Sequence, residues 1–463
     1  MDRVDPEADI RAEVVWRWCG AADPLVPRVG NSAMRAWFWR WGPPRRGCRP
    51  SNSCAVARRT IVHRSARSSR SQRLTKCLIQ TIRSNLLTAP LLHGRQHVAP
   101  WTTRVGLVTG MVIMGDNRDS AAVGLMHAAV LRRIPDRRFV IERVPIATPS
   151  QPGQVLLEVH ACGICGTDLH IMAGTSYRPA LPFVLGHEAV GRVVAAHPTD
   201  LHWVDRMVAV SPFRGCGRCR HCHNGDVRLC QERQEVTGVL GAWGGFANYE
   251  LVESAQLVPL PEGLSTTIAA SLVDCGPTAL NAVQHVQSVK PESVVVIGSG
   301  AIGRLVVQML SPIVDRLAVV EPLAVRRAAL LTQLSRPVQL VAGADEVTGD
   351  IDAVVECSGT AEALQWSISR LSPHGLLVLA GYAQTKDFDF ADVSRKELTI
   401  RGVRSGSLAH LQAVLDLAAD GSLDPVKPTL WPLIEINSAL QALLSDQPPA
   451  KAVIDCLGSA EAR

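Results

Sequence analysis

Val294-Val-Val-Ile-Gly298-Ser-Gly300-Ala-Ile-Gly303 is an apolar run that breaks into glycines spaced GxGxxG. Three glycines in six residues often mark only a loop. Here Ile302, Leu305, Val306, Met309 and Leu310 recur at helical spacing behind them, and Pro312 closes the run. Strand, tight turn and helix together form a cradle for a pyrophosphate. Gly298 permits the turn, Gly300 lets backbone approach the phosphate, and Gly303 lets the helix close on the strand. The helix N-terminus then faces the negative charge.

Downstream, Leu317-Ala-Val-Val-Glu321 reads as a second strand ending in an acid 21 residues after Gly300. A carboxylate there accepts hydrogen bonds from a ribose 2′-OH and repels a 2′-phosphate, so NAD is expected over NADP. Arg326 and Arg327 follow closely and could soften that discrimination, although a solvated helix face is the expectation for them. Residues 337–341, 352–359, 376–381 and 398–401 continue the alternation of strands with helical patterns, which predicts a doubly wound parallel sheet. Cys357 reads as a packing thiol and His374 as a solvated turn residue. A helix over 408–419, ended by Gly421, and a last strand from Ala452 complete the chain.

Upstream the pattern differs. Residues 139–144, 155–159, 184–194 and 206–211 read as short strands separated by turns, with one or two helical turns over 167–172, which predicts a β-rich, barrel-like domain. It carries Cys162-Gly-Ile-Cys165-Gly-Thr167-Asp168-Leu-His170, answered by Gly186-His187-Glu188. Cys165 and His187, 22 residues apart, meet at one metal only if the chain doubles back. A lone Cys or His is more often a packing residue than a ligand. A more specific signal follows: Cys216, Cys219, Cys222 and Cys230 place four thiols within 15 residues. Such a set closes on one structural zinc. Two disulfides would need an oxidising compartment, for which no export signal is present. An iron–sulfur cluster uses the same ligands and stays open on spacing alone.

The 463 residues allow two or three domains. No apolar run is long enough to span a membrane, so no membrane partner is expected. The net charge of +6 is unevenly spread. Residues 1–125 hold 20 Lys+Arg against 8 Asp+Glu, while the other 338 hold 28 against 34. The body is therefore mildly acidic, and a nucleic-acid partner is not expected for it. Residues 1–125 also hold six of the ten Trp and show no sustained period. A basic nucleic-acid arm and an Arg/Ser-rich transit peptide are both conceivable, but the start is acidic, with Asp2, Asp5, Glu7, Asp9 and Glu13. The expectation is a disordered or non-native extension ahead of a true start near Met126, and a cytoplasmic protein.

The cysteine–histidine stretch, the Gly-His-Glu and the four-cysteine lobe, in that order from about Met126 onward, resemble the zinc-containing alcohol dehydrogenases of the medium-chain dehydrogenase/reductase superfamily. The resemblance implies an α/β chain in which a discontinuous GroES-like catalytic domain (126–278, with 406–463 returning to it) flanks a Rossmann domain (279–405). It implies two zinc ions per subunit and a homodimer or homotetramer acting on a small alcohol or carbonyl compound. Cys165 and His187 match catalytic zinc ligands, Glu188 an alternative ligand, and Asp168 an acid that orients a ligand. Cys162 matches a non-ligand position. Thr167 and His170 match a proton relay that runs by way of the cofactor ribose. Gly298, Gly300, Ile302, Gly303, Glu321 and Thr278 match cofactor contacts. In Leu272-Val-Asp274-Cys275-Gly-Pro277-Thr278, counting back from Ala282-Val283 puts Asp274 on the third-ligand position, with Cys275 as the alternative. An acidic ligand favours polyol- or sugar-like substrates by analogy. Trp243, Tyr177 and Trp203 are candidates to line the pocket, with core packing the expectation for each. Two rival expectations are a zinc-free quinone or enoyl reductase of the same superfamily and a non-enzymatic NAD- or nucleic-acid-binding protein.

Overall fold

The structure, a computed structural model, describes residues 124–458 apart from residues 335, 383–384, 386–389 and 446. The Arg-rich stretch, with the arm, transit and extension readings attached to it, lies outside the described residues up to 123. The strands are β1 (Leu125–Leu131), β2 (Val140–Pro145), β3 (Gln154–Ile164), β4 (Phe183–Val184), β5 (Ala189–Ala196), β6 (Met207–Val210), β7 (Tyr249–Glu253) and β8 (Leu257–Pro259). They continue with β9 (Ser293–Ile297), β10 (Arg316–Val320), β11 (Gln339–Val341), β12 (Ala353–Glu356), β13 (Leu376–Leu379), β14 (Thr399–Gly402), β15 (Thr429–Pro432) and β16 (Ala452–Asp455).

The last eight divide between two sheets. β9 to β14 form a wholly parallel sheet in the order β11-β10-β9-β12-β13-β14. β9 is Val/Ile-rich and buried along its length, as a central strand covered on both faces must be. One face packs Val294, Val296 and Val355 against the helices Cys275–Val289, Ala301–Leu310 and Leu408–Ala419. The other packs Val295, Ile297 and Val354 against Leu364 and Ile368 of the helix Ala361–Arg370. The strand order reverses between β9 and β12, so a crevice opens beyond their carboxyl ends.

β15 and β16 leave that sheet and join the first half of the chain in the order β15-β16-β3-β5-β6-β8, with β7 also on β3. β16 runs antiparallel to β3, setting Ala452 opposite Ile164 and Ile454 opposite Cys162. A smaller sheet, β2-β1-β4, sits beside it, and Phe139 meets Phe246 edge-on at 5.8 Å inside. A single apolar cluster runs from Ala161 and Val190 of this body through Leu272 and Val283 to Val296 of the parallel sheet. The described residues belong to one compact unit.

The extended run expected over 184–194 is interrupted. Gly186 takes φ +101°, and an added Cβ there would lie 2.7 Å from the Phe246 backbone nitrogen. The turn aims His187 inward instead of leaving it in a strand. No helix among the described residues is long and apolar enough to cross a membrane.

Candidate active site

Cys165 follows β3 directly and caps the start of the helix Gly166–Met172. Its backbone N–H donates to Asp168 Oδ2 at 2.9 Å, which seats the fully buried Asp168 under the helix start. The other oxygen, Oδ1, lies 3.4 Å from His187 Nδ1 and fixes which way the imidazole points. His187 Nε2 then faces Asp274 Oδ2 at 3.8 Å, and Cys165 Sγ lies 3.4 Å from the same oxygen. Ligand atoms of Cys165, His187, Glu188 and Asp274 all lie within 4.8 Å of one another. Both His187 nitrogens are buried without a hydrogen-bond partner. A buried imidazole nitrogen aimed at a thiol and a carboxylate is the donor arrangement a divalent cation satisfies.

The electrostatics agree. Burial pushes the Cys165 thiol up, with Asp274 adding to it. Burial opposes charge on His187, yet Asp168, Asp274 and Cys165 together hold it well above its ordinary value. A cation bound here would take the place of the imidazolium proton as the positive charge that balances Cys165 and Asp274. Of the two third-ligand candidates, Asp274 is in the group. Cys275 turns its Sγ to the Ser271 carbonyl at 3.0 Å.

Glu188 is held differently. Its two oxygens accept from Lys451 Nζ at 2.7 and 2.5 Å, and both side chains are buried. Glu188 keeps Lys451 protonated above the usual lysine range although burial opposes it. A Cβ on Gly163 would come within 1.8 Å of Glu188 Oε2, so the pair fits only beside that glycine. Lys451, just ahead of β16, was not recognised in the sequence. Its signal is a single lysine directly before a buried apolar strand.

These groups floor a cavity of about 560 Å³. Thr167, His170, Gly300, Ile302 and Thr278 also line it. Thr167 Oγ1 lies 3.8 Å from Cys165 Sγ, and the exposed His170 is within 3.2 Å of Thr175 Oγ1. Gly298 takes φ +87°, and a Cβ on Gly303 would fall 1.9 Å from the Gly298 carbonyl. A Cβ on Gly300 would meet nothing within 4 Å, so this glycine leaves open space facing the cavity. Thr278 uses its hydroxyl to donate to the Asp274 carbonyl at 2.7 Å. Glu321 is buried and accepts from Ser299 N and Oγ through Oε2 and from Leu323 N through Oε1. The strand-end acid therefore braces the glycine turn. Arg326, expected to be merely solvated, lines the cavity and lies 3.9 Å from Glu321 Oε2. Cys357 and Tyr177 pack against the core as expected and also line the cavity, and Trp203 packs against the core. Trp243 is exposed.

The four lobe cysteines are free thiols; Cys222 Sγ lies 3.9 Å from Cys216 Sγ and 3.6 Å from Cys219 Sγ, Cys219 Sγ lies 3.9 Å from Cys230 Sγ, and all four are within 4.8 Å of one another. A tetrahedral zinc with Zn–S of about 2.3 Å sets thiolates about 3.8 Å apart. Backbone N–H groups of Cys219 and Arg233 donate to Cys216 and Cys230 Sγ, each at 3.3 Å. The Cys222 N–H leads in lowering the Cys219 thiol to about 6, the state a metal ligand needs. His221 and His223 are not in the donor group.

A metal-capable floor, a dinucleotide-type glycine turn and a cleft between a GroES-like body and a Rossmann sheet define a two-domain dehydrogenase. Residues 151–262 match the alcohol dehydrogenase GroES-like domain, and residues 328–420 match the zinc-binding dehydrogenase family. An alcohol dehydrogenase of Rhizobium meliloti is 30% identical over 72% of this chain and 99% of its own. The chain belongs to the zinc-type alcohol dehydrogenase family of the medium-chain dehydrogenase/reductase superfamily. A sorbitol dehydrogenase of Halalkalibacterium halodurans is 29% identical over 63% of this chain and 88% of its own. Among solved structures, acetophenone reductase from Geotrichum candidum in complex with NAD matches with a TM-score of 0.66 at 25% identity, covering 73% of this chain and 98% of that one. The protein is an oxidoreductase of the alcohol and polyol dehydrogenase group.

Proposed function

We propose that the protein is a zinc-dependent alcohol dehydrogenase moving a hydride between an alcohol, of polyol or sugar-like type, and NAD. The observation that carries this reading is the convergence of Cys165, His187 and Asp274 in a cleft that Gly300 and Ile302 of the glycine turn also line. In this reading the catalytic domain is 126–278 with 406–463, the Rossmann domain is 279–405, and Cys216, Cys219, Cys222 and Cys230 hold a second, structural zinc.

Zinc at the floor would supply Lewis-acid polarisation of the substrate oxygen, and NAD would supply the hydride acceptor. The chain's own residues do the rest. Asp168 orients His187. Lys451 neutralises Glu188, so that Cys165, His187 and Asp274 remain as protein donors with one position free for substrate. Thr167, beside Cys165, would accept the alcohol proton while giving up its own hydroxyl proton, which His170 at the exposed mouth would receive and release to solvent. The open space at Gly300 admits a pyrophosphate to the helix N-terminus. Glu321, by bracing Ser299, holds that turn in shape, and the NAD preference draws on the position of this acid at the end of the second strand. The polyol leaning draws on the acidic Asp274 and on the likeness to a sorbitol dehydrogenase.

The test is NADH formation by a metal-quantified preparation across simple alcohols and polyols. Turnover with NAD that follows zinc content is expected. No oxidation of any alcohol, or comparable kcat/KM with NAD and NADP, overturns the corresponding part. Asp274→Ala is expected to lose the catalytic zinc and Cys275→Ala to keep it; the reverse pattern reassigns the ligand.

A further inference from the structure

A second cavity of about 1030 Å³ adjoins the catalytic one and shares Tyr177, Phe213, Tyr382 and Arg404 with it. Its wall is rich in arginine, and most of that charge is already balanced. Arg214 and Arg233 each pair with Glu235 and Glu253, and Arg228 pairs with Asp226. Arg401 and Arg404 line the same space without a carboxylate partner among the described residues.

Arg404 is the better placed of the two. It follows β14 at the carboxyl end of the parallel sheet, where ligands of such sheets sit. Its guanidinium lies 5.1 Å over the Phe213 ring, and Nη1 donates to the Arg228 carbonyl at 2.9 Å. The stack and that single bond fix the plane and leave the rest of the guanidinium's donor fork for a ligand. The surroundings are electropositive: burial and then Arg401 and Arg228 hold His285 below its ordinary value. A half-buried, pre-oriented guanidinium with no counter-charge, in the cavity that also holds Cys165 and Asp274, is a specificity feature and not a fold feature.

We infer that Arg404 binds an anionic group on the substrate, so that the preferred alcohols carry a carboxylate or phosphate remote from the reacting carbinol. The inference rests on the proposed dehydrogenase reading and narrows its substrate class. A neutral polyol meets the same floor but leaves Arg404 unanswered. The anionic compound exchanges a partly desolvated, unpaired charge for a charge-assisted hydrogen bond.

The test compares kcat/KM for sorbitol, sorbitol 6-phosphate and gluconate, three six-carbon chains that differ in charge, in the native enzyme and in Arg404→Gln and Arg404→Lys. The native enzyme is expected to prefer at least one anionic compound by on the order of 10-fold. The ratio of anionic to neutral kcat/KM should collapse in Arg404→Gln, recover in part in Arg404→Lys, and fall as salt rises. Which anion is preferred separates phosphate from carboxylate recognition. An unchanged ratio in Arg404→Gln, or a native preference for sorbitol, overturns the inference. If none of the three is oxidised, the dehydrogenase reading is judged separately by the wider alcohol panel, and equilibrium dialysis still decides the subsite. Weaker retention of the anions by Arg404→Gln than by the native protein supports it, and equal retention overturns it.

Discussion

The four-cysteine lobe and the catalytic floor are both donor clusters, yet they are built in opposite ways. The lobe gathers four thiols from one short, partly exposed loop and supports them with backbone N–H groups. The floor brings a thiol, an imidazole and a carboxylate from three distant segments into a buried cavity, and ties up the fourth donor, Glu188, with Lys451. A cation held by four thiolates has no position left for a substrate, whereas one held by three mixed donors does. Closure makes a site structural, and a withheld ligand makes it reactive.

Removing a donor from each cluster should separate the two roles. Cys165→Ala is expected to lower kcat/KM by roughly 10³-fold or more while one zinc per chain remains. Steady-state kinetics alongside metal analysis would expose an error, since undiminished turnover sinks the division of labour. Cys219→Ser should also lose one zinc, but its effect falls on stability. The unfolding midpoint should drop by roughly 5–10 °C, with much of the turnover kept in whatever stays folded. A midpoint equal to the native one would mean the lobe metal supports nothing.

Smaller changes probe the withheld ligand and the support beneath the floor. Lys451→Met leaves Glu188 buried and unpaired, which should cost about 3–5 kcal/mol in denaturant unfolding. Pairing it with Glu188→Gln should return much of that loss, and no recovery in the double variant would mean the two residues are not coupled. Asp168→Asn keeps the shape but weakens the hold on His187. A 10–100-fold loss of catalytic-zinc affinity is expected by roughly the cost of losing such a partner, with the lobe metal unaffected.

The parts legible in the sequence are those whose meaning is local. The glycine turn, the alternation from residue 294 onward and the Cys216–Cys230 spacing each lie within a few dozen residues, and the fold follows them. Asp274, which lies in the donor group, was reachable by counting back from Ala282-Val283 within the family resemblance. Lys451 was not, because it meets Glu188 across 263 residues only once β16 pairs with β3. The direction of the Glu321 carboxylate and the Gly186 turn depend on backbone angles that spacing does not encode. Arg404 matters through the balance of charge around it, which exists only after the lobe and the parallel sheet come together.

The central claim is that one of two zinc ions drives the reaction while the other holds the fold. Graded chelation of one preparation, following zinc per chain, NADH formation and thermal midpoint together, tests it directly. The account predicts that the rate falls to zero as the first equivalent leaves while the midpoint stays near its starting value. A rate that survives that loss, or a preparation that turns over without zinc, would contradict it.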